Sequence, residues 1–414
     1  MNKTIFSYFG FFVCISAFIS FYNAGLPMPP YEFYAQIYPS YVSPLRLGRL
    51  SIHEITIFIA LFLFFLNFYI HKRAELKIDK RLFFFIVLLI CLSSLLLVSS
   101  ILFDARPLLD IFRALRLTVN GVITFLIYAA ATKAFGPNII KYAIFGLISS
   151  ILINILVSYN IPLENDRFVL HGQNTAVVYC AFGIHFIILH ILITNKINLW
   201  CISALIVLFF VVIIGDSRTA YAVTFLACYP IYHLIIKKIH LGQINTKFLS
   251  GLGVIGLVLF VANLSPIERR ILALKEDGFS GDNLRYEMVL DTIEILNAYP
   301  MGVGLSGYFE AKHKVYGINK IAKNTYEFED NPHSTILYYI AAGGYLGGII
   351  LLMLFFLTYS ILKRTLKFIG ENNYYLFLFG SFIVASLSIP YLFNSLLLII
   401  PLGVLSGHVI KNDR

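Results

Sequence analysis

The chain has 414 residues, 59% hydrophobic and 13% charged, about half the charged fraction of an ordinary soluble domain. A water-soluble fold cannot hide that much apolar surface, so the composition excludes a freely soluble enzyme and points to a lipid bilayer. A formal charge of +10 at pH 7 would suggest nucleic acid in a soluble chain, but here the basic residues must first be placed relative to a membrane.

A spanning helix needs about 20 mostly apolar residues. Runs of that size lie near 4–22, 54–71, 82–103, 117–135, 139–158, 176–194, 198–215, 219–236, 247–264, 334–361, 374–390 and 391–409. They predict an all-α polytopic membrane protein with about twelve transmembrane helices, because lipid cannot satisfy open backbone groups. The first run follows Lys3 as a signal peptide would, yet no small-residue cleavage site follows, so it is expected to be retained. Cys14, Cys91, Cys180, Cys201 and Cys228 all fall in apolar runs, where thiols behave as small hydrophobes and imply no disulfide or metal framework.

Lys and Arg collect in cytoplasmic loops. The basic loop from His71 to Arg81 sets one side as cytoplasmic, and alternation then puts Lys133, Lys141, Lys196, Lys237, Lys363, Arg364 and Lys411 there as well. Both termini are expected to be cytoplasmic. The implied organisation is a bundle of about nine helices over 1–264, an extracytoplasmic loop subdomain over 265–333, and C-terminal transmembrane helices over 334–414. The long loop exceeds what a simple connector needs. Within it, Asn283–Asn297 places Leu284, Met288, Ile293 and Ile295 as an amphipathic helix would, either lying on the membrane surface or capping the bundle.

The outer face gathers basic residues against the topological preference. Arg106, Arg113 and Arg116 fall in one outer loop, Arg167 and His171 in another, Arg218 at a helix mouth, and Arg269, Arg270, Arg285 and His333 in the long loop. A planar guanidinium pairs bidentately with phosphate oxygens, so the set points to an anionic ligand. For any single arginine the plain alternative is a lipid headgroup, or Asp104, Asp110 or Asp216. Arg218 sits in Gly215-Asp216-Ser217-Arg218-Thr219-Ala220 between two apolar runs, where a charge is expensive and usually functional; an anchor paired with Asp216 is the alternative. His333, following Pro332, begins the tenth run. An imidazole there can accept a proton from an attacking hydroxyl, or serve only the structure. The spans hold essentially no Asp or Glu beyond Glu54, and His185, His190 and His233 are scattered, which argues against an ion-coupled transporter or flippase.

Together these segments resemble the O-antigen ligase and polymerase superfamily, the Wzy-type membrane glycosyltransferases of bacterial envelopes. The matching order is Ser217-Arg218-Thr219-Ala220, Arg285-Tyr286-Glu287-Met288, Tyr299-Pro300-Met301-Gly302-Val303-Gly304, Asn331-Pro332-His333-Ser334-Thr335 and Gly343-Gly344-Tyr345-Leu346-Gly347. Ser334 stands where many relatives have asparagine. The resemblance implies a GT-C-like helical glycosyltransferase in the bacterial inner membrane, with a periplasmic site that takes a glycan from undecaprenyl diphosphate. A ligase passes it to the lipid A-core; a polymerase joins lipid-linked repeat units. It further implies catalytic roles for Arg218, Arg285 and His333, and substrate contacts from Arg167, His171, Arg270 and Tyr308, with Tyr286, Phe309 and Tyr326 as further stacking candidates. No paired-acid motif for a metal is visible, so the arginines are expected to offset the leaving charge without metal or cofactor.

Overall fold

A computed structural model describes residues 3–25, 46–47, 50–71, 80–103, 107–136, 138–158, 173–214, 217–240, 280–305, 307–316, 334–368, 373–387 and 396–412. Among them are thirteen helices: α1 Lys3–Gly25, α2 Ile52–His71, α3 Lys80–Phe103, α4 Pro107–Phe135, α5 Asn138–Ser158, α6 Gln173–Thr194, α7 Leu199–Ile214, α8 Arg218–His240, α9 Ser280–Ala298, α10 Tyr308–Tyr316, α11 Thr335–Phe368, α12 Tyr374–Ser386 and α13 Leu396–Asn412. The β content is one antiparallel ladder between β1 (Arg46–Leu47) and β2 (Leu50–Ser51).

Three described stretches are long and apolar enough to cross a bilayer, Phe83–Phe103, Val177–Thr194 and Thr335–Lys367. Gly121–Phe135 and Ile139–Leu152 qualify as a pair bent by 117°, and shorter apolar helices cover Ser7–Ile19, Glu54–Leu66, Leu199–Ile213 and Tyr374–Ser386. The expected span at 247–264 lies outside the described residues. Large side chains on these helices turn outward, among them Phe62, Phe84 and Phe356. Such a surface suits hydrocarbon and not water.

One expectation needs correction. Arg113 and Arg116 are not in a loop: α4 starts at Pro107 and carries both in its first turns. Proline is well suited to a first helical position, so the helix extends ahead of its apolar run. The apolar run expected near 334–361 falls within α11, which is kinked at Gly344, with φ 65° and ψ −156°.

Close crossings hold the bundle. Gly146 of α5 lies where any Cβ would strike the Phe18 carbonyl of α1, and Gly407 of α13 meets the Ala129 carbonyl of α4 in the same way. Gly403 and Gly407, one turn apart, form the small-residue face that lets two helix backbones approach in lipid. Deeper in, fully buried His185 of α6 joins three helices. Its Nδ1 lies 3.0 Å from the Tyr374 hydroxyl, its Nε2 2.7 Å from Ser381 Oγ on α12 and 3.3 Å from the Val223 carbonyl on α8. Tyr374 donates in turn to the His185 carbonyl at 3.1 Å.

Removing that imidazole leaves polar partners stranded among apolar side chains. His185→Ala is expected to lower stability by roughly 3 kcal/mol, while His233→Ala, at an exposed position, should stay within about 0.5 kcal/mol. Thermal unfolding of the detergent-solubilised protein checks both.

Candidate functional site

Ser217 is the N-cap of α8. Its carbonyl accepts the Tyr221 N–H at 2.9 Å, and its hydroxyl faces the Ala220 N–H at 3.5 Å. Serine is favoured there because its oxygen satisfies an orphan donor of the first turn. Tyr221 also donates its hydroxyl to the Ile213 carbonyl at 2.9 Å, closing the corner between α7 and α8. Arg218 is therefore the first residue of a capped helix on a tied corner.

The ends of α8, α11 and α12 come together. Tyr229 stacks on Phe377 with centroids 4.6 Å apart, and Leu226 approaches Gly380. Three residues back along α8 correspond to three forward along α12, so the helices run antiparallel and the end of α12 comes level with the first turn of α8. There Ser334 donates its hydroxyl to the Ser386 carbonyl at 3.2 Å, and its own carbonyl caps α11 by accepting the Tyr338 N–H at 2.9 Å. Ser334 thus has a structural role: it ties the start of α11 to α12.

The segment Pro300–Leu305 is wedged into the break of α11. An unbroken helix would bond the amides of Tyr345 and Leu346 to the carbonyls of Ala341 and Ala342. Instead Val303 N–H reaches Ala341 O at 3.0 Å, Gly304 N–H reaches Ala342 O at 2.9 Å, and Tyr345 N–H turns to Pro300 O at 3.2 Å. Gly302 (φ +86°), Gly304 (φ +74°) and Gly344 (φ +65°) all take left-handed backbone, and a Cβ on any of them would collide with backbone or Ser100. From α3, Ser99 Oγ meets Met301 O at 2.6 Å, while Ser100 Oγ accepts the Leu305 N–H at 3.3 Å. Tyr338 of α11 donates to Leu305 O at 3.3 Å. Both peptide groups of Leu305 are thereby held, one from each flanking helix.

On either side of the wedge, α9 and α10 share a small core of Phe103, Ile295, Val303, Tyr308, Ala311 and Ala341. Phe103, the last residue of α3, meets Tyr299 edge to face at 4.9 Å and carries Lys314 4.3 Å above its ring. Lys312 of α10 pairs with Asp291 of α9 at 2.5 Å. Burial, with hydrogen bonds to Asp291 and Glu294, pushes the Tyr316 phenol well above its ordinary range.

Residues 202–352 match the family model described as O-antigen ligase. That is the family the sequence motifs resemble. The matched stretch runs from α7 through α8, α9, the wedge and α10 to the middle of α11, and so holds Arg218, Arg285 and His333. No curated protein matches the chain. The O-antigen ligase match supports ligase- or polymerase-type function in general, a family whose substrates are lipid-linked glycans, and with the apolar helices it points to a membrane protein.

Within the ligase segment, Arg218 and Ser334 start helices at one common end, and Arg285 lies on α9. Arg285 is about ten residues, or roughly 15 Å, along α9 from the Ile295 contact with α11. Arg167, His171, Arg270, Tyr326 and His333 itself lie outside the described residues. Tyr308 is buried in the small core, Phe309 packs on His313 at 4.4 Å, and Tyr286 is exposed. Sequence reasoning missed Ser99, Ser100 and Tyr338; the adjacent serines at the end of an otherwise apolar run were the available signal.

Two outcomes follow from this geometry. Gly344→Ala is expected to cost about 3 kcal/mol or more, since the new methyl meets backbone and the torsion suits only glycine. Gly136→Ala, equally left-handed at φ +82° but with open space around it, should cost only about 1 kcal/mol; thermal unfolding of the two variants distinguishes them. Tyr316 has a raised folded value, so its stabilisation is complete below the unfolded tyrosine value of about 10 and is lost as pH rises beyond it. Between pH of about 8 and 11, wild type should therefore lose more unfolding temperature than Tyr316→Phe.

Proposed function

We propose that the protein is an O-antigen ligase-like glycosyltransferase: it transfers a polysaccharide from undecaprenyl diphosphate to a lipid A-core acceptor at the periplasmic face of the inner membrane. The observation that carries this reading is the family match spanning Arg218, Arg285 and His333, joined to the common end at which the helices of Arg218 and Ser334 begin.

The acceptor hydroxyl attacks the anomeric carbon of the donor sugar. A new carbon–oxygen bond forms as the bond to the diphosphate breaks, and the lipid diphosphate leaves with the electron pair. Attack from the opposite side inverts the carbon. Arg218 and Arg285 pair with the diphosphate and offset the charge that develops on it, the task a metal performs for nucleotide-sugar donors. His333 receives the acceptor proton or aligns the hydroxyl. Arg167, His171 and Arg270 contact the lipid phosphates or the glycan. Tyr308 supports this surface from within the small core.

The rigid placement of α9 and α11 by the wedge supports a mechanism built on orientation, since well-oriented reacting groups avoid a large entropic cost at the barrier. The scarcity of acidic residues in the apolar runs, where Glu54 stands at an edge, supports transfer over ion-coupled transport.

Deletion of the gene in its host, with lipopolysaccharide resolved on a gel, tests the reading. Bare core with long glycan retained on undecaprenyl diphosphate is the expected outcome, restored by a wild-type plasmid. Arg218→Ala, Arg285→Ala and His333→Ala should each lower transfer by about 100-fold or more and fail to restore it. Core bearing a single repeat unit would instead identify a polymerase, and unchanged lipopolysaccharide would contradict both.

A further inference from the structure

The helix α9 has two apolar faces, and the small core uses only one. Met288, Asp291, Thr292 and Ile295 are buried on the side that meets α10 and α11. Tyr286, Val289, Leu290 and Ile293 recur at the same helical spacing on the opposite side and remain 64%, 38%, 40% and 48% exposed. At 3.6 residues per turn the two stripes are diametrically placed. Glu287 and Glu294 lie along one border between them and Arg285 along the other.

The surroundings name the occupant of the second stripe. α9 leads through Tyr299 onto Phe103, the last residue of the stretch Phe83–Phe103, which is long and apolar enough to cross a bilayer. The final turns of that stretch point Val98, Ile101 and Leu102 outward. An outward apolar face of this kind suits hydrocarbon, and α9 departs from the end of that face. Met301, the second residue beyond Tyr299, is also exposed, which continues the apolar surface from the end of α9.

We infer that α9 is an interfacial helix whose stripe of Tyr286, Val289, Leu290 and Ile293 lies in the boundary between acyl chains and headgroups of the outer leaflet. Interfacial helices bury their apolar side about 5–10 Å into that boundary. The border residue Arg285 is then held at the depth of lipid phosphate groups. The placement of the helix stands independently; its consequence for Arg285 rests on the proposed function, in which the donor diphosphate sits at that depth.

The chain contains one tryptophan, Trp200, which makes fluorescence a direct test. Leu290→Trp and Glu294→Trp are each introduced with Trp200→Phe, and the purified full-length protein is reconstituted in phosphatidylcholine vesicles with brominated acyl chains. The Leu290→Trp protein should be quenched by the lipid at least about twofold more than the Glu294→Trp protein, and iodide should quench it less. Ile293→Trp, on the same stripe, should repeat the result if Leu290→Trp folds poorly. Equal access of iodide to both faces would overturn the inference, as would a stripe shielded from iodide and brominated lipid alike, which means protein covers it. The readout needs no turnover, so failure here is separate from failure of the glycosyltransferase reading.

Discussion

A backbone amide or carbonyl freed inside an apolar bundle must find another partner, because neither lipid nor packed side chains can replace water. The break at Gly344 removes normal helical partners from Ala341, Ala342 and Tyr345, and Pro300, Val303 and Gly304 supply new ones. This exchange ties the bundle to the segments beyond it. The wedge continues directly into α9 on one side and α10 on the other, so both are fastened to α11 by main-chain bonds and to α3 by Ser99 and Ser100. Glycine at positions 302, 304 and 344 lets two backbones come close enough for the exchange.

The elements around the proposed site share that fastening. Arg285 belongs to α9 and His333 precedes α11, and the wedge joins these two helices. Arg218 begins α8, which runs beside α12, and α12 is bonded at its last residue to Ser334. Residues from three distant parts of the sequence are thus carried on elements linked by hydrogen bonds and ring stacking. For the proposed transfer, fixed orientation of donor and acceptor is a main resource the protein can offer.

Much of the helix plan was legible in the hydrophobic runs. The run at 82–103 coincides closely with α3 and that at 176–194 with α6. α4 begins ten residues before its apolar run, since a helix can continue through polar residues once started by Pro107. The kink within the 334–361 run was not legible, for a non-local reason: Gly343-Gly344 resembles ordinary glycine tolerance in a membrane helix, and only residues some forty positions earlier turn it into a break. The glycines of 302–307 were visible as punctuation, but their partner strand of carbonyls was not. The same holds for Gly403 and Gly407, whose spacing is evident in the sequence while the Phe125–Ala129 surface they meet is not. For Asn283–Asn297, surface and capping readings stood as alternatives; one face of α9 packs on α10 and α11, and its other face is exposed.

In the proposed function, the bundle moves a glycan from a lipid diphosphate to a hydroxyl acceptor by means of its own arginines and histidine. Purified protein in vesicles, supplied with undecaprenyl-diphosphate-linked glycan and lipid A-core and treated with a chelator, tests it most directly. The account requires glycosylated lipid A-core and free undecaprenyl diphosphate in equal amounts, an inverted anomeric centre, and a rate unchanged by the chelator. Release of undecaprenyl diphosphate without a new glycosidic bond, or a retained anomeric configuration, would contradict it.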